Sequence, residues 1–131
     1  MKSGKIDGYF LASYSSRKLG MESTGNAGGS HNLEVYSTGE SFDEILKKMQ
    51  TGFLVTEMLG MSFNPINGDY SRGAAGFLIE NGELTYPVSE VTIAGNMSDM
   101  IKNLTPANDL KLEDNINAPT ILIENMTLAG Q

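Results

Sequence analysis

Two stretches of the chain repeat their apolar residues at helical spacing. Phe42, Ile45, Leu46 and Met49 fall at i, i+3, i+4 and i+7, and so share one face. Ser41 and Glu44 flank the start in the pattern of a capping box, in which each side chain bonds the backbone amide of the other. Gly52 stands where a glycine ends a helix. Together these signals predict a helix over about 42–51. Met97, Met100, Ile101 and Leu104 repeat the spacing, with Asn96 as N-cap and Pro106 as terminator. They predict a second helix over about 97–104.

The remaining apolar positions read as strands. Tyr9-Phe10-Leu11-Ala12-Ser13-Tyr14 is aromatic and β-prone, and a short turn or single helical turn follows it. Residues 24–32 form a glycine-rich loop. Leu33 and Val35 then alternate with polar neighbours, which predicts a short half-buried strand. Residues 53–58 are apolar enough for a buried strand. Turn residues gather between 60 and 69. The stretch 70–88 predicts a hairpin, because Asn81-Gly82 separates two β-prone arms. Val91 and Ile93 predict a further strand. Residues 110–112 and 120–128 predict two closing strands, the last entered through Pro119. The expected fold is α+β: a single, mainly antiparallel β domain over 1–131 with two short helices.

Composition narrows the chemistry. The chain has 131 residues, enough for one core. Its net charge is −7, which repels phosphate backbones and argues against direct nucleic-acid binding. No apolar run approaches the ~18–20 residues of a membrane span, and the N-terminus lacks the apolar centre of a signal peptide. A soluble, cytoplasmic protein is expected. There is no cysteine and one histidine, His31. The chain therefore cannot build a zinc site from paired histidines or from thiolates. A Ser-His-Asp triad would need a Gly-x-Ser-x-Gly turn, and none is present. His31 is expected to hydrogen-bond loop backbone. No metal or cofactor is expected in this chain.

Two loops hold the candidate binding residues. Thr24-Gly25-Asn26-Ala27-Gly28-Gly29-Ser30 lacks the lysine of a phosphate-binding loop, but its backbone can line a peptide or a partner. Gly28, Gly29 and His31 are its candidate residues. Asn67-Gly68-Asp69-Tyr70-Ser71-Arg72-Gly73 is the densest polar cluster. Asp69 and Arg72 could pair there, and Ser71 could donate to the loop; it reads equally as an Asx turn entering a strand. Asn67, Asp69, Tyr70, Ser71 and Arg72 are its candidates. Glu40, Asp43 and Glu44 suit a helix N-terminus. Asp109, Glu113 and Asp114 read as solvated. A stand-alone hydrolase would have to use carboxylates such as Glu57, Asp69 or Glu80. A structural domain that pairs through a strand edge is the remaining alternative.

Taken in order, these stretches resemble the C-terminal region of the PmbA/TldD family. The resemblance runs through Ser13-Tyr14-Ser15, Arg17-Lys18-Leu19-Gly20 and the glycine-rich loop to Leu33. It continues through Thr51-Gly52-Phe53-Leu54-Val55-Thr56-Glu57, the Asn67–Ala74 stretch and Ile79-Glu80-Asn81-Gly82-Glu83. Pro87-Val88, Thr92-Ile93-Ala94-Gly95-Asn96 and the closing stretch from Met126 to Gln131, with its Ala-Gly-Gln ending, complete it. The resemblance implies a two-subunit intracellular peptidase that trims linear or unfolded peptides, in peptide-antibiotic maturation and antitoxin degradation. The older family label is modulator of DNA gyrase. One subunit type, TldD-like, carries an upstream His-Glu-x-x-x-His zinc motif and a cysteine ligand in its C-terminal region. The other, PmbA-like, carries no zinc. This chain lacks the upstream region, and its stretch 109–119 has no cysteine. The resemblance therefore implies a non-catalytic PmbA-like fragment that pairs with a TldD-like subunit or with itself, and zinc only in the partner.

Overall fold

The computed structural model describes residues 5–60 and 62–130. Its centre is an antiparallel sheet of four strands in the order β2-β3-β4-β8. These are β2 (Gly52–Leu59), β3 (Asp69–Glu80), β4 (Glu83–Asn96) and β8 (Thr127–Ala129). Two smaller sheets flank it. β1 (Leu33–Glu34) pairs in parallel with β6 (Ile116–Asn117), and β5 (Leu104–Pro106) pairs antiparallel with β7 (Ile121–Ile123). Among the described residues there are three helices: α1 (Ser13–Leu19), α2 (Phe42–Met49) and α3 (Met97–Lys102). The expected α+β, mainly antiparallel class is what the structure has, with one helix more than the periodicity predicts.

The strongest local signals act as their chemistry requires. Ser41 accepts from the Glu44 amide at 3.3 Å, and Glu44 accepts from the Ser41 amide at 2.7 Å. The helix ends at Gln50, whose φ is 60°, rather than at Gly52. Gly52 instead opens β2, where an added Cβ would meet Met49 Sδ at 2.5 Å. The Asn81-Gly82 turn joins β3 to β4 with φ values of 54° and 76°. Gly82 is needed there twice over. Its positive φ disfavours side chains, and α2 packs so close that a Cβ would lie 3.0 Å from Lys47 Cα. The Gly82 amide donates to Gln50 O at 2.8 Å, which ties the hairpin tip to the end of α2.

Several expected strands are corrected. Residues 9–14 do not form one. Their C-terminal part enters α1, which stops at Gly20 in the left-handed region, with the Met21 amide donating to Ser16 O at 2.9 Å. Leu33 and Glu34 are both exposed rather than half-buried. β2 is an edge strand, half-buried at most, not a buried one. Val91 and Ile93 do not start a new strand. They continue β4 past an irregularity at Glu90, whose φ is 59°. Residues 110–112 carry no strand, and β6 forms where none was expected. The 120–128 stretch splits at Glu124-Asn125 into β7 and β8. The second helix stops at Lys102, and Leu104–Pro106 pairs with β7.

Two apolar clusters hold these pieces. One gathers Ile45 of α2, Ala107 and Leu122, with Met49 against them. The other lies on one face of the large sheet: Ala74, Val91 and Ile93, flanked by Phe53, Val55, Tyr70, Val88 and Met126. Burial stops there. The chain exposes 9501 Å², against about 6,700 Å² for a compact monomer of this mass. Met58, Leu59 and Leu128 remain 44–50% exposed along the sheet. No helix among the described residues is long and apolar enough to cross a membrane.

Candidate functional site

The polar cluster at 62–73 forms a built turn, and β4 holds it in place. Asn64 accepts from the Ile66 amide at 3.0 Å on its side chain and from the Gly68 amide at 2.8 Å on its backbone. Asn67 Oδ1 accepts from the Asp69 amide at 3.1 Å, and its Nδ2 donates to Asp69 Oδ2 at 2.6 Å. This is the Asx geometry that the residue types favour. Asn96 completes it. Its Nδ2 donates to Asn67 O at 2.9 Å and lies 3.5 Å from Asp69 Oδ1, while its Oδ1 accepts from the Ser98 amide at 3.0 Å. One side chain thus caps α3 and fastens the turn. Gly68, at φ 80°, leaves room for it: a Cβ there would sit 3.1 Å from Asn96 Oδ1.

Ser62, Phe63, Asn64, Asp69, Tyr70 and Ser71 line a shallow cleft of about 370 Å³. Phe63 bridges to Tyr70, and the Ser71 amide donates to Ser62 O at 3.0 Å. The cleft's free groups are hydroxyls, an aromatic wall and backbone edges. A second shallow cleft of about 410 Å³ lies at Tyr14, Arg17 and Lys18, where sequence reasoning placed no site.

The structure divides the expected cluster. Asp69 and Arg72 form no ion pair among the described residues: three positions apart on β3, they face opposite sides of the sheet, and Asn67 and Asn96 donate to Asp69 instead. Side chains alternate along β3, so Tyr70 and Arg72 share a face with Ala74 while Ser71 takes the other. Tyr70 donates its hydroxyl to Met58 Sδ at 3.4 Å. Ser71 enters the turn through its backbone amide. Gly28, Gly29 and His31 lie elsewhere, on the glycine-rich loop. That loop is anchored by Thr24, which accepts from the Leu11 amide at 2.8 Å, and by the Leu33 amide, which donates to Asn115 O at 2.8 Å. No recorded hydrogen bond joins the two loops among the described residues. His31 is exposed, and its ring makes no hydrogen bond among those residues, so it does not anchor the loop as expected.

Several carboxylates have structural partners rather than one another. Asp69 and Glu80 stand at opposite ends of β3, roughly 36 Å apart at strand spacing. Glu40 takes Lys48 at 3.3 Å. Ser41 amide and hydroxyl bonds hold the Glu44 carboxyl below the usual range. Asp109 is not simply solvated. It accepts from the Thr120 amide at 2.8 Å and from the Thr120 hydroxyl at 2.7 Å. Partial desolvation there pushes its pKa up, but those two bonds, with Lys111 nearby, outweigh it and leave the carboxyl lowered. No group of three or more histidine, cysteine or carboxylate side chains converges as a metal site among the described residues.

A β-rich domain with a turn-bound cleft and an open sheet edge is the class that fold and site define. Its sequence over residues 1–130 matches the PmbA/TldA metallopeptidase C-terminal domain. The chain belongs to the PmbA/TldD family. It is 52% identical to the metalloprotease PmbA of Escherichia coli O157:H7, covering 100% of this chain and 29% of that protein. It is 20% identical to a TldD homolog of Buchnera aphidicola, over 99% of this chain and 32% of that protein. A solved structure from Thermotoga maritima, of a protein named for modulation of a DNA gyrase, superposes with a TM-score of 0.89 at 34% identity. That match covers 98% of this chain and 32% of the other. The chain thus spans under a third of the length of the relatives it matches.

Proposed function

We propose that the chain is the C-terminal part of a PmbA-type subunit that carries no zinc itself. It works beside a zinc-bearing TldD-type subunit and helps enclose linear or unfolded peptides in the cytoplasm. The observation that carries this reading is the donor inventory. One histidine, no cysteine, and no group of three or more histidine, cysteine or carboxylate side chains that converges among the described residues support it. The gap between 52% identity to a PmbA and 20% to a TldD homolog supports the same assignment.

Peptide recognition is assigned to the outer edge of β2. Eight residues, Gly52–Leu59, offer unpaired backbone groups there, and their only charge is Glu57. A peptide that adds a strand at this edge is bound through its backbone, with little demand on its sequence. Glu57, Asp69 and Glu80 are too dispersed for a paired-carboxylate hydrolase. The same open edge favours one second reading, self-pairing of the domain, which light scattering over a concentration series distinguishes. The principal test uses the full-length protein, with zinc supplied, against an unfolded polypeptide, alone and mixed with a TldD-type subunit. Cleavage only in the mixture is expected. Cleavage by the protein alone overturns the proposal.

A further inference from the structure

The large sheet leaves two stretches of strand edge without a neighbour among the described residues. β8 covers β4 only at Thr92, Ile93 and Ala94, so β4 from Glu83 to Glu90 has β3 alone beside it. That stretch is interrupted twice. Pro87 has no N–H to give, and Glu90 leaves the extended region at φ 59°. β2 carries neither obstacle along its outer edge. The Leu54 carbonyl turns inward, because its oxygen is the atom that a methyl group on Gly76 of β3 would strike. Alternation then turns the N–H and C=O groups of Phe53 and Val55 outward.

Glu57 gives this edge its chemistry. It pairs in register with Ala75, so it stands on the face turned away from the Ala74, Val91 and Ile93 cluster, and it is exposed. The ion pairs among the described residues are Lys48 with Glu40 and Lys102 with Asp99, and neither engages Glu57. A strand added to β2 sets one of its side chains about 5 Å across from Glu57, where an opposite charge is favourable and a like charge is not. Leu59, two residues along and 48% exposed, offers apolar cover for the methylene stem of a long basic side chain. The net charge of −7 draws a cationic chain and repels an anionic one. A second copy added about a two-fold axis brings a second Glu57 to the same short edge, so like charges oppose it.

We propose that Glu57 selects a basic side chain of an extended peptide that adds as a strand to the outer edge of β2. The proposal rests on the reading of the chain as a peptide-handling subunit, and it names the substrate chemistry: a linear cationic peptide, paired through its backbone at Phe53 and Val55 and held by one internal lysine or arginine side chain at Glu57.

The test uses the full-length protein and extended hexapeptides with a dye on the N-terminus and an amide on the C-terminus, so that no free chain end takes part. The peptides differ only in one central residue, which is Lys, Gln or Glu. Affinity is read by fluorescence anisotropy at low salt, and amide hydrogen exchange over residues 52–59 is followed by mass spectrometry. The expected order is Lys, then Gln, then Glu, with Lys about twofold to fivefold tighter than Gln, and exchange over 52–59 slows on binding. The ratio of Lys to Gln should fall toward one at about 1 M salt, which screens an exposed pair. Glu57→Gln should abolish the ratio and Glu57→Lys should reverse the order. Glu83→Gln, which removes an exposed charge from β4, should leave the ratio unchanged. Equal binding of the peptides overturns this proposal alone, as does a ratio that survives Glu57→Gln, falls as far with Glu83→Gln, or ignores salt. Binding that leaves exchange over 52–59 unchanged overturns it together with the assignment of the β2 edge. Failure of every peptide to bind overturns the peptide-handling reading with it. Should a Glu57 variant not fold, the salt and exchange readings on the parent protein decide.

Discussion

Gly76 tests how tightly the large sheet is built. It lies on β3 opposite Val55 and Val88, where both neighbouring ladders shift register. A methyl group there would be driven onto the Leu54 carbonyl oxygen, with Leu54 C at 2.9 Å and Thr56 N at 3.1 Å. These are backbone atoms, so no side-chain rotation relieves the clash. β2 must move away and release about two ladder hydrogen bonds, worth about 1 kcal/mol each. Residual strain adds about 1–3 kcal/mol. The alanine also restricts the unfolded chain, which returns about 0.4–1 kcal/mol. The net expectation for Gly76→Ala is a loss of about 3 kcal/mol. For a chain of this size that lowers Tm by about 10 °C. Thermal unfolding followed by circular dichroism reads it directly. Gly28→Ala is the control, because nothing lies within 4 Å of its added methyl and its φ is not positive. A Gly76→Ala protein that melts within about 2 °C of its parent would refute the reasoning.

Further substitutions probe the other contacts. Asn117 is buried, and its Oδ1 accepts from the Glu113 and Asp114 amides, both at 2.9 Å. Asn117→Ala should cost about 2–4 kcal/mol in urea unfolding, because it orphans both donors. Ser41→Ala should cost about 1 kcal/mol by the same measurement through loss of the α2 cap. The lowered Asp109 carboxyl makes a pH prediction. Its contribution is complete above the ordinary carboxylate pKa of about 4 and is lost as pH falls through the lowered folded value. Asp109→Asn should flatten the loss of stability below about pH 4 in an acid titration.

The sequence was most legible where a signal is local. The capping box of Ser41 and Glu44, the Asn81-Gly82 turn and the Asn96 cap each depend on residues within four positions, and each forms as expected. What escaped depends on contacts distant in sequence. β6 has no strand signature of its own and exists because Leu33 and Glu34 pair with Ile116 and Asn117. Helix α1 was legible only as a short turn or single helical turn after Tyr14; the aromatic residues masked its start at Ser13, although Arg17-Lys18-Leu19-Gly20 carries an ordinary helix ending. The candidate turn at 67–73 was legible as a cluster of polar residues, but not as a partition. Strand alternation separates Ser71 from Tyr70 and Arg72, and Asn96, twenty-seven residues beyond Asp69, supplies the bond expected of Arg72. Asn64 and Asn96 are asparagines near glycines, a signal that marked them as turn and cap rather than as parts of one site. Family membership, by contrast, was carried by the order of many short motifs along nearly the whole chain.

Zinc stoichiometry bears most directly on the account. The purified chain, equilibrated with zinc at neutral pH and freed of excess, is measured by inductively coupled plasma mass spectrometry beside a TldD-type subunit treated identically. The account predicts no bound zinc in this chain and one equivalent in the TldD-type subunit. One tightly held equivalent in this chain would contradict it.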